Sequence, residues 1–366
     1  MNAGSALSRV LRRLGFVRGD LRGKLLQWLL LLGGHIADRF DQLSNELSDR
    51  FAGLSNQGSD RFDRMSGQIV NAFENLSDRA YDGADFDIGK LNDRAKRWSN
   101  IAQIRRSAAA VSIGDGNVVC RTLGKYRQYV VARDVGFSPY VMLDGFYEYH
   151  VTEFVARNVK PRMQVMDIGA NFGYFTLLMA DLVGPTGKVY AFEPNPNVAT
   201  LLGYSLRANN FTSRAVVDCR AISDRAGIAT FLIPAVALTN ARITDPIDAA
   251  QAGSSPDLTH LTVETVALDD LNLEGISFIK ADIEGAEEKL WYGGKCFFAR
   301  NPDLLCVLEF NCRRCAAPRA TLEDIGRMFQ LRCLDETSYV RDVTINEMLD
   351  SEFDWLVVLS HREEVD

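Results

Sequence analysis

Two carboxylates at predicted strand ends carry the strongest chemical signal in this sequence. The first lies in Val165-Met166-Asp167-Ile168-Gly169-Ala170-Asn171-Phe172-Gly173-Tyr174-Phe175-Thr176. There an apolar run ends in an acid, a glycine-broken loop follows, and apolar residues then recur at helical spacing through Leu178, Met179 and Leu182. The pattern predicts a strand, a tight turn and a helix, with bare backbone amides able to approach a ligand because glycine carries no side chain. The second acid, Glu193, ends Lys188-Val189-Tyr190-Ala191-Phe192-Glu193-Pro194-Asn195, where a carboxylate can take both hydroxyls of a ribose. Dinucleotide-binding and S-adenosylmethionine-binding sheets share a strand-end acid about 20 residues beyond the glycines. Here the loop reads D-x-G-x-N-x-G, with Asn171 where a dinucleotide loop has its middle glycine. No pyrophosphate is implied, so S-adenosylmethionine is the expected ligand, and an NAD-dependent oxidoreductase is the rival reading.

A third acid, Asp282, stands just past the apolar run Ile276 to Ala281. The elements that would bring these strand ends together are visible from residue 163 onward. Strands are expected at 163–168, 188–193, 214–222, 276–281, 304–310, 330–334 and 355–360, with helices at 173–183, 196–209, 285–295 and 319–329. Residues 228–266 are less regular and hold two more strand-like runs. Such alternation builds a mostly parallel, doubly wound α/β sheet with helices on both faces. Ligands in these sheets sit beyond the strand C-termini, where Asp167, Glu193, Asp282 and Glu309 all fall. Upstream, short strands at 111–113, 118–121 and 128–132 precede a lead-in helix through Val151, Phe154, Val155 and Val159.

From about Gly145 to Ser360 the sequence resembles the FkbM-type S-adenosylmethionine-dependent methyltransferases. The resemblance rests on Asp167 to Phe175, on Phe192-Glu193-Pro194, and on Ile279-Lys280-Ala281-Asp282-Ile283-Glu284-Gly285-Ala286-Glu287, which looks like the family's K-x-D-x-E-G-x-E signature. Gly145-Phe146-Tyr147-Glu148 is similar to the Gly-x-Tyr-Glu upstream of that family's core, and Leu268-Asp269-Asp270-Leu271 precedes the signature as in the family. The resemblance implies a class I methyltransferase sheet of seven strands in the order 3-2-1-4-5-7-6. It also implies O-methylation of a hydroxyl on a sugar, a glycan or a small natural product. By analogy with that fold, Asp167, Gly169, Ala170, Asn171 and Gly173 take the methionine end of the cofactor, Glu193 and Pro194 the ribose, and Arg220 and Ala221 the adenine edge, with Glu148 also at the cofactor. Asp282 would contact the acceptor, or else cap the helix expected to start near Glu284. His150 is the plausible histidine base. A magnesium route would draw oxygens from Asp282, Glu309 and Asn311, although the resemblance requires no metal. Cys312-Arg313-Arg314-Cys315 lacks a second pair at zinc spacing.

The first hundred residues follow another rhythm. Phe40, Phe51, Phe62 and Phe73 recur with an eleven-residue period, and an apolar seam continues forward through Leu91, Ala95, Trp98 and Ala102. Eleven residues make three turns of about 3.67 each, so one stripe stays aligned on a long helix. A seam that cannot bury itself implies a homo-oligomeric coiled coil. The alternatives are a membrane-surface helix, a poorly ordered linker, or a scaffold in which the coil does the work and the sheet is non-catalytic. The expected regions are therefore 1–104 as a helical arm, 105–160 as a β-rich bridge and 161–366 as the methyltransferase domain. A net charge of −7 argues against nucleic acid as a partner. Seven cysteines without a regular framework suit a reducing, cytoplasmic setting. The basic, then apolar, residues 1–32 leave room for peripheral contact with the cytoplasmic membrane face.

Overall fold

The computed structural model describes residues 85–244, 258–362 and 365, and all of these except Ser112–Gly114 belong to one compact unit. The eleven-residue repeat, the basic start and most of the expected arm lie outside the described residues. Where the seam's weaker extension is described, it breaks down. Leu91 is buried in a short 3-10 turn, but Trp98 is 78% exposed on α1 (Arg97–Ser107), which instead buries Ile101 and Ile104.

The bridge then forms β1 (Ala109–Gly114), β2 (Asn117–Thr122) and β3 (Tyr126–Val131), with β2 and β3 paired antiparallel. A short helix, α2 (Ser138–Leu143), was not expected. The lead-in helix is α3 (Tyr149–Asn158). The core continues through β4 (Gln164–Ile168), α4 (Tyr174–Val183), β5 (Lys188–Phe192), α5 (Pro196–Ala208) and β6 (Ala215–Asp218). Asn195 starts α5 by accepting the Asn197 amide at 3.1 Å, with proline in the first turn.

The strand expected over 214–222 is two strands. Asp218 accepts the Arg220 amide at 2.9 Å, closing a tight turn that ends β6 and sends the chain into β7 (Ala221–Ser223). β7 belongs to a separate four-stranded sheet with β8 (Gly227–Pro234), β9 (Arg242–Thr244) and β10 (Leu258–Ala267), in the order β7-β10-β8-β9. After β11 (Ile276–Ala281), the helix expected over 285–295 is likewise split, into α6 (Glu287–Tyr292) and α7 (Lys295–Arg300). Gly293 and Gly294 separate them, and a Cβ on Gly293 would overlap the Ser223 carbonyl of β7. The chain closes with β12 (Leu305–Phe310), α8 (Pro318–Met328), β13 (Arg332–Leu334), β14 (Val340–Asp342), α9 (Ile345–Asp350) and β15 (Trp355–Leu359).

The main sheet has eight strands in the order β14-β13-β15-β12-β11-β4-β5-β6. β12, β11, β4, β5 and β6 run parallel, and β15, β13 and β14 are joined antiparallel. From β6 to β13 this is the expected 3-2-1-4-5-7-6, with β14 added at the edge. Met166, Ile279, Trp291 and Phe298 sit in one apolar core, and the Trp291 indole donates to Asp324 at 2.9 Å. No helix among the described residues is long and apolar enough to cross a membrane.

Glycine has a structural cause at the key turn. Gly169 has φ +77°, and a Cβ there would overlap the Asp282 carbonyl oxygen. Gly203, inside α5, faces open space. Gly169→Ala is expected to lower unfolding free energy by about 2 kcal/mol or more. Gly203→Ala is expected to raise it by about 0.5–1 kcal/mol. Urea denaturation of both variants beside the wild type measures the contrast.

Candidate active site

The loop after β4 is internally satisfied. Gly169 and Ala170 both donate to the Phe192 carbonyl, at 3.0 and 2.9 Å, tying the loop to the end of β5. Gly173 donates to Ala170 at 2.8 Å, and Phe172 to the Asn171 side chain at 2.9 Å. The Asn171 amide donates to Glu193 Oε2 at 2.8 Å. Each amide from Gly169 to Gly173 is thus engaged within the chain, which corrects the expectation that bare amides wait there for a ligand. The glycines serve backbone approach: Gly169 lets the loop meet the end of β11, and Gly173, at φ +87°, fits against Leu202. Asn171 takes φ +51°, a left-handed conformation that asparagine tolerates.

Over this loop lies a cavity of about 240 Å³. Nine of the expected residues line it: Gly169, Ala170, Asn171, Glu193, Pro194, Arg220, Ala221, Glu148 and Asp282. Three do not. Asp167 is 1% exposed behind the loop, where Oδ2 accepts the Thr176 hydroxyl at 2.5 Å and so braces the start of α4. Gly173 caps that helix. His150 does not line the cavity; its carbonyl accepts the Ser338 hydroxyl at 2.7 Å, and the charges acting on its ring are Arg97, Glu336 and Asp335. Burial, with the positive charge of Arg97, pushes the His150 pKa below the usual histidine range, and it is not placed to act as the base.

Asp282 does not cap a helix, because α6 begins only at Glu287, whose own carboxylate accepts the Gly285 amide at 2.7 Å. Instead it pairs with Lys280 Nζ at 3.0 Å. Lys280 was visible in the K-x-D signature but was given no role by sequence reasoning. Burial works against its ammonium, yet Asp282, Asp167 and Glu148 together hold it charged. The ammonium also lies 5.0 Å from the Phe175 ring centroid.

Further acids complete the wall. Glu284, Glu309 and Asp354 line the cavity around Arg314, which pairs with Glu284 and Asp354 and lies 3.5 Å from Glu309. Oxygens of Asp282, Glu284 and Glu309 lie within 4.8 Å of one another, a spacing open to a cation. Asn311, expected in such a set, is turned away: its amide donates to Asp354 at 2.8 Å and its oxygen accepts Arg313 N at 2.9 Å. The guanidinium of Arg314 already supplies positive charge to this cluster. Cys312 and Cys315 are free thiols.

Burial dominates the electrostatics. It raises Glu193 to about 7 against its two amide donors, and Glu148 to about 7 against Lys280. Burial, reinforced by Asp282, raises Glu284 to about 7 and Glu309 to about 10. An acid whose folded pKa is raised stabilises the fold fully below its unfolded value and loses that contribution as pH rises through the folded one. Relative to Glu148→Gln, wild-type stability is therefore expected to fall, by up to about 3 kcal/mol, between pH about 4.5 and about 7. Denaturant midpoints of the two proteins across that window check the sign.

Residues 167–310 match the family model described as the methyltransferase FkbM domain. Solved structures similar to this chain include a methyltransferase FkbM from Methylobacillus flagellatus, at 15% identity and a TM-score of 0.36, covering 58% of this chain and 53% of that one. A SAM-dependent O-methyltransferase from Thermotoga maritima matches at 15% identity and a TM-score of 0.34, covering 67% and 79%. P. horikoshii TYW2 in complex with MeSAdo matches at 14% identity and a TM-score of 0.36, covering 72% and 80%. No curated protein matches the chain. The family match, not these partial superpositions, carries the assignment: residues 167–310 of this chain are a methyltransferase FkbM domain.

Proposed function

We propose that the chain transfers a methyl group from S-adenosylmethionine to a hydroxyl of a sugar, a glycan or a small natural product. The observation that carries the cofactor assignment is Glu193. It is 6% exposed, lines the cavity, and each of its oxygens accepts one backbone amide, from Asn171 and Asn195, both at 2.8 Å. A carboxylate offers about four acceptor positions, so one remains on each oxygen for a vicinal diol. The loop amides, all engaged, offer no nest for a pyrophosphate, which weighs against the NAD-dependent alternative. In this reading the Gly169–Asn171 backbone borders the methionine end, and Pro194, Arg220 and Ala221 border the adenine.

S-Adenosylmethionine supplies an activated methyl group on a good leaving group, so orientation provides much of the acceleration. Asp282, held by Lys280 at 3.0 Å, lies on the acceptor side, where a carboxylate fixed in this way can accept a hydrogen bond from a hydroxyl and orient it. The same proposal takes the N-terminal repeat as a homo-oligomerisation element.

Titration calorimetry is expected to show S-adenosylmethionine binding and no NAD binding; the reverse would install the oxidoreductase. Glu193→Ala is expected to weaken S-adenosylmethionine affinity about tenfold to a hundredfold, the worth of hydrogen bonds to a charged group. Sedimentation of the full chain in detergent-free buffer is expected to show an oligomer, and a monomer would remove the coiled-coil part.

A further inference from the structure

We propose that Glu148 is the group that takes the proton from the acceptor hydroxyl. This rests on the methyl-transfer reading above and reassigns a residue expected at the cofactor.

The other carboxylates lining the cavity are committed elsewhere. Glu193 holds two backbone amides. Asp282 is paired with Lys280, and Glu284, Glu309 and Asp354 share Arg314. Those contacts already engage their oxygens, and Glu309, which burial and Asp282 raise to about 10, holds its own proton near neutral pH. Glu148 lines the same cavity, and its carboxylate makes no hydrogen bond or ion pair among the described residues.

The backbone holds it there under strain. Glu148 has φ 37° and ψ 67°, a left-handed conformation at the N-cap of α3, and its side chain makes no capping bond. A non-glycine residue persists in that region when its surroundings over-determine it. Thr152 supplies the constraint. Its amide donates to the Glu148 carbonyl at 2.9 Å, and its hydroxyl donates to the Tyr147 carbonyl at 2.9 Å. The Thr152 hydroxyl also lies 3.0 Å from the Tyr174 hydroxyl, tying this turn to α4.

The charged and titratable groups acting on Glu148 are Lys280, Asp282, Glu284, Glu309 and Asp354, together with the phenols of Tyr147 and Tyr174. Burial and the acids favour the protonated form, while Lys280 favours the anion. That balance puts the carboxyl near neutrality, where a general base is most effective. In the step itself, the acceptor oxygen bonds to the methyl carbon as the carbon–sulfur bond breaks. The bonding pair leaves with sulfur, which becomes a neutral thioether, and the hydroxyl proton passes to a Glu148 oxygen.

A test independent of the acceptor follows from the sulfonium charge. Calorimetry near pH 7 in two buffers of different ionisation enthalpy reads the protons exchanged on binding S-adenosylmethionine, which is cationic at sulfur, and S-adenosylhomocysteine, which is not. Wild type is expected to release up to about half a proton more with S-adenosylmethionine, because the positive charge drives Glu148 to its anion. Glu148→Gln is expected to bind both ligands and to lose that difference. Equal release for the two ligands in wild type overturns the proposal whatever the variant does. Retention of the difference in Glu148→Gln, or its loss in Glu284→Gln instead, overturns it too. Failure of wild type to bind either ligand defeats the methyl-transfer reading itself, and Glu148 falls with it.

Discussion

One buried ammonium sets the terms for the candidate site. Lys280 is 5% exposed at the end of β11, with Asp282 at 3.0 Å and with Asp167 and Glu148 close enough to sustain its charge. A buried charge without partners is costly, and so is a set of buried carboxylates without a cation. The pairing therefore works in both directions. The acids keep the lysine charged, and the lysine allows acids from the loop before α3, from β4 and from β11 to share one region. Arg314 repeats the arrangement on the other side, with Glu284, Glu309 and Asp354.

Backbone contacts position these groups. The Gly169–Asp282 approach brings the ends of β4 and β11 together, and the Phe192 carbonyl binds the loop to β5 through two amides. Glu193 then secures that loop from below through Asn171. Asp134, fully buried between β3 and α2, holds another side of the cavity. One oxygen accepts the Phe137 and Ser138 amides at 2.8 and 2.9 Å, and the other accepts Leu238 at 2.9 Å. Phe137 and Leu238 both line the cavity, so the bridge and the segment between β8 and β9 meet there through this carboxylate and through the Val135 amide, which donates to the Val236 carbonyl at 2.7 Å.

Several of the places where sequence reasoning missed turn on a contact remote in sequence. The split of the expected 214–222 strand needs the Asp218–Arg220 turn and a second sheet to receive β7. The split of the expected 285–295 helix needs the Ser223 carbonyl against Gly293. His150 follows Glu148 closely in sequence, but a helix turns each successive side chain by about 100°, and this imidazole lies within the influence of Arg97, Glu336 and Asp335 and does not line the cavity. Asn311 fails for a similar reason, since Asp354, from the loop before β15, draws its amide away. Arg314 carried no spacing signal of its own, and Lys280 only its place in the K-x-D signature. Their roles exist only because distant acids converge on them.

Periodicity and strand-end acids, by themselves, determined the α/β class, the position of the glycine loop, and the places of Glu193 and Asp282 at strand ends. These are local facts, since a strand that ends in an acid before a glycine turn does so wherever it packs. The Glu193–Asn171 bond, the ion pairs that occupy the other carboxylates and the strained turn that leaves Glu148 unpaired were decided by tertiary structure alone. Charge balance among buried groups depends on which of them meet, and that is settled only when the sheet closes.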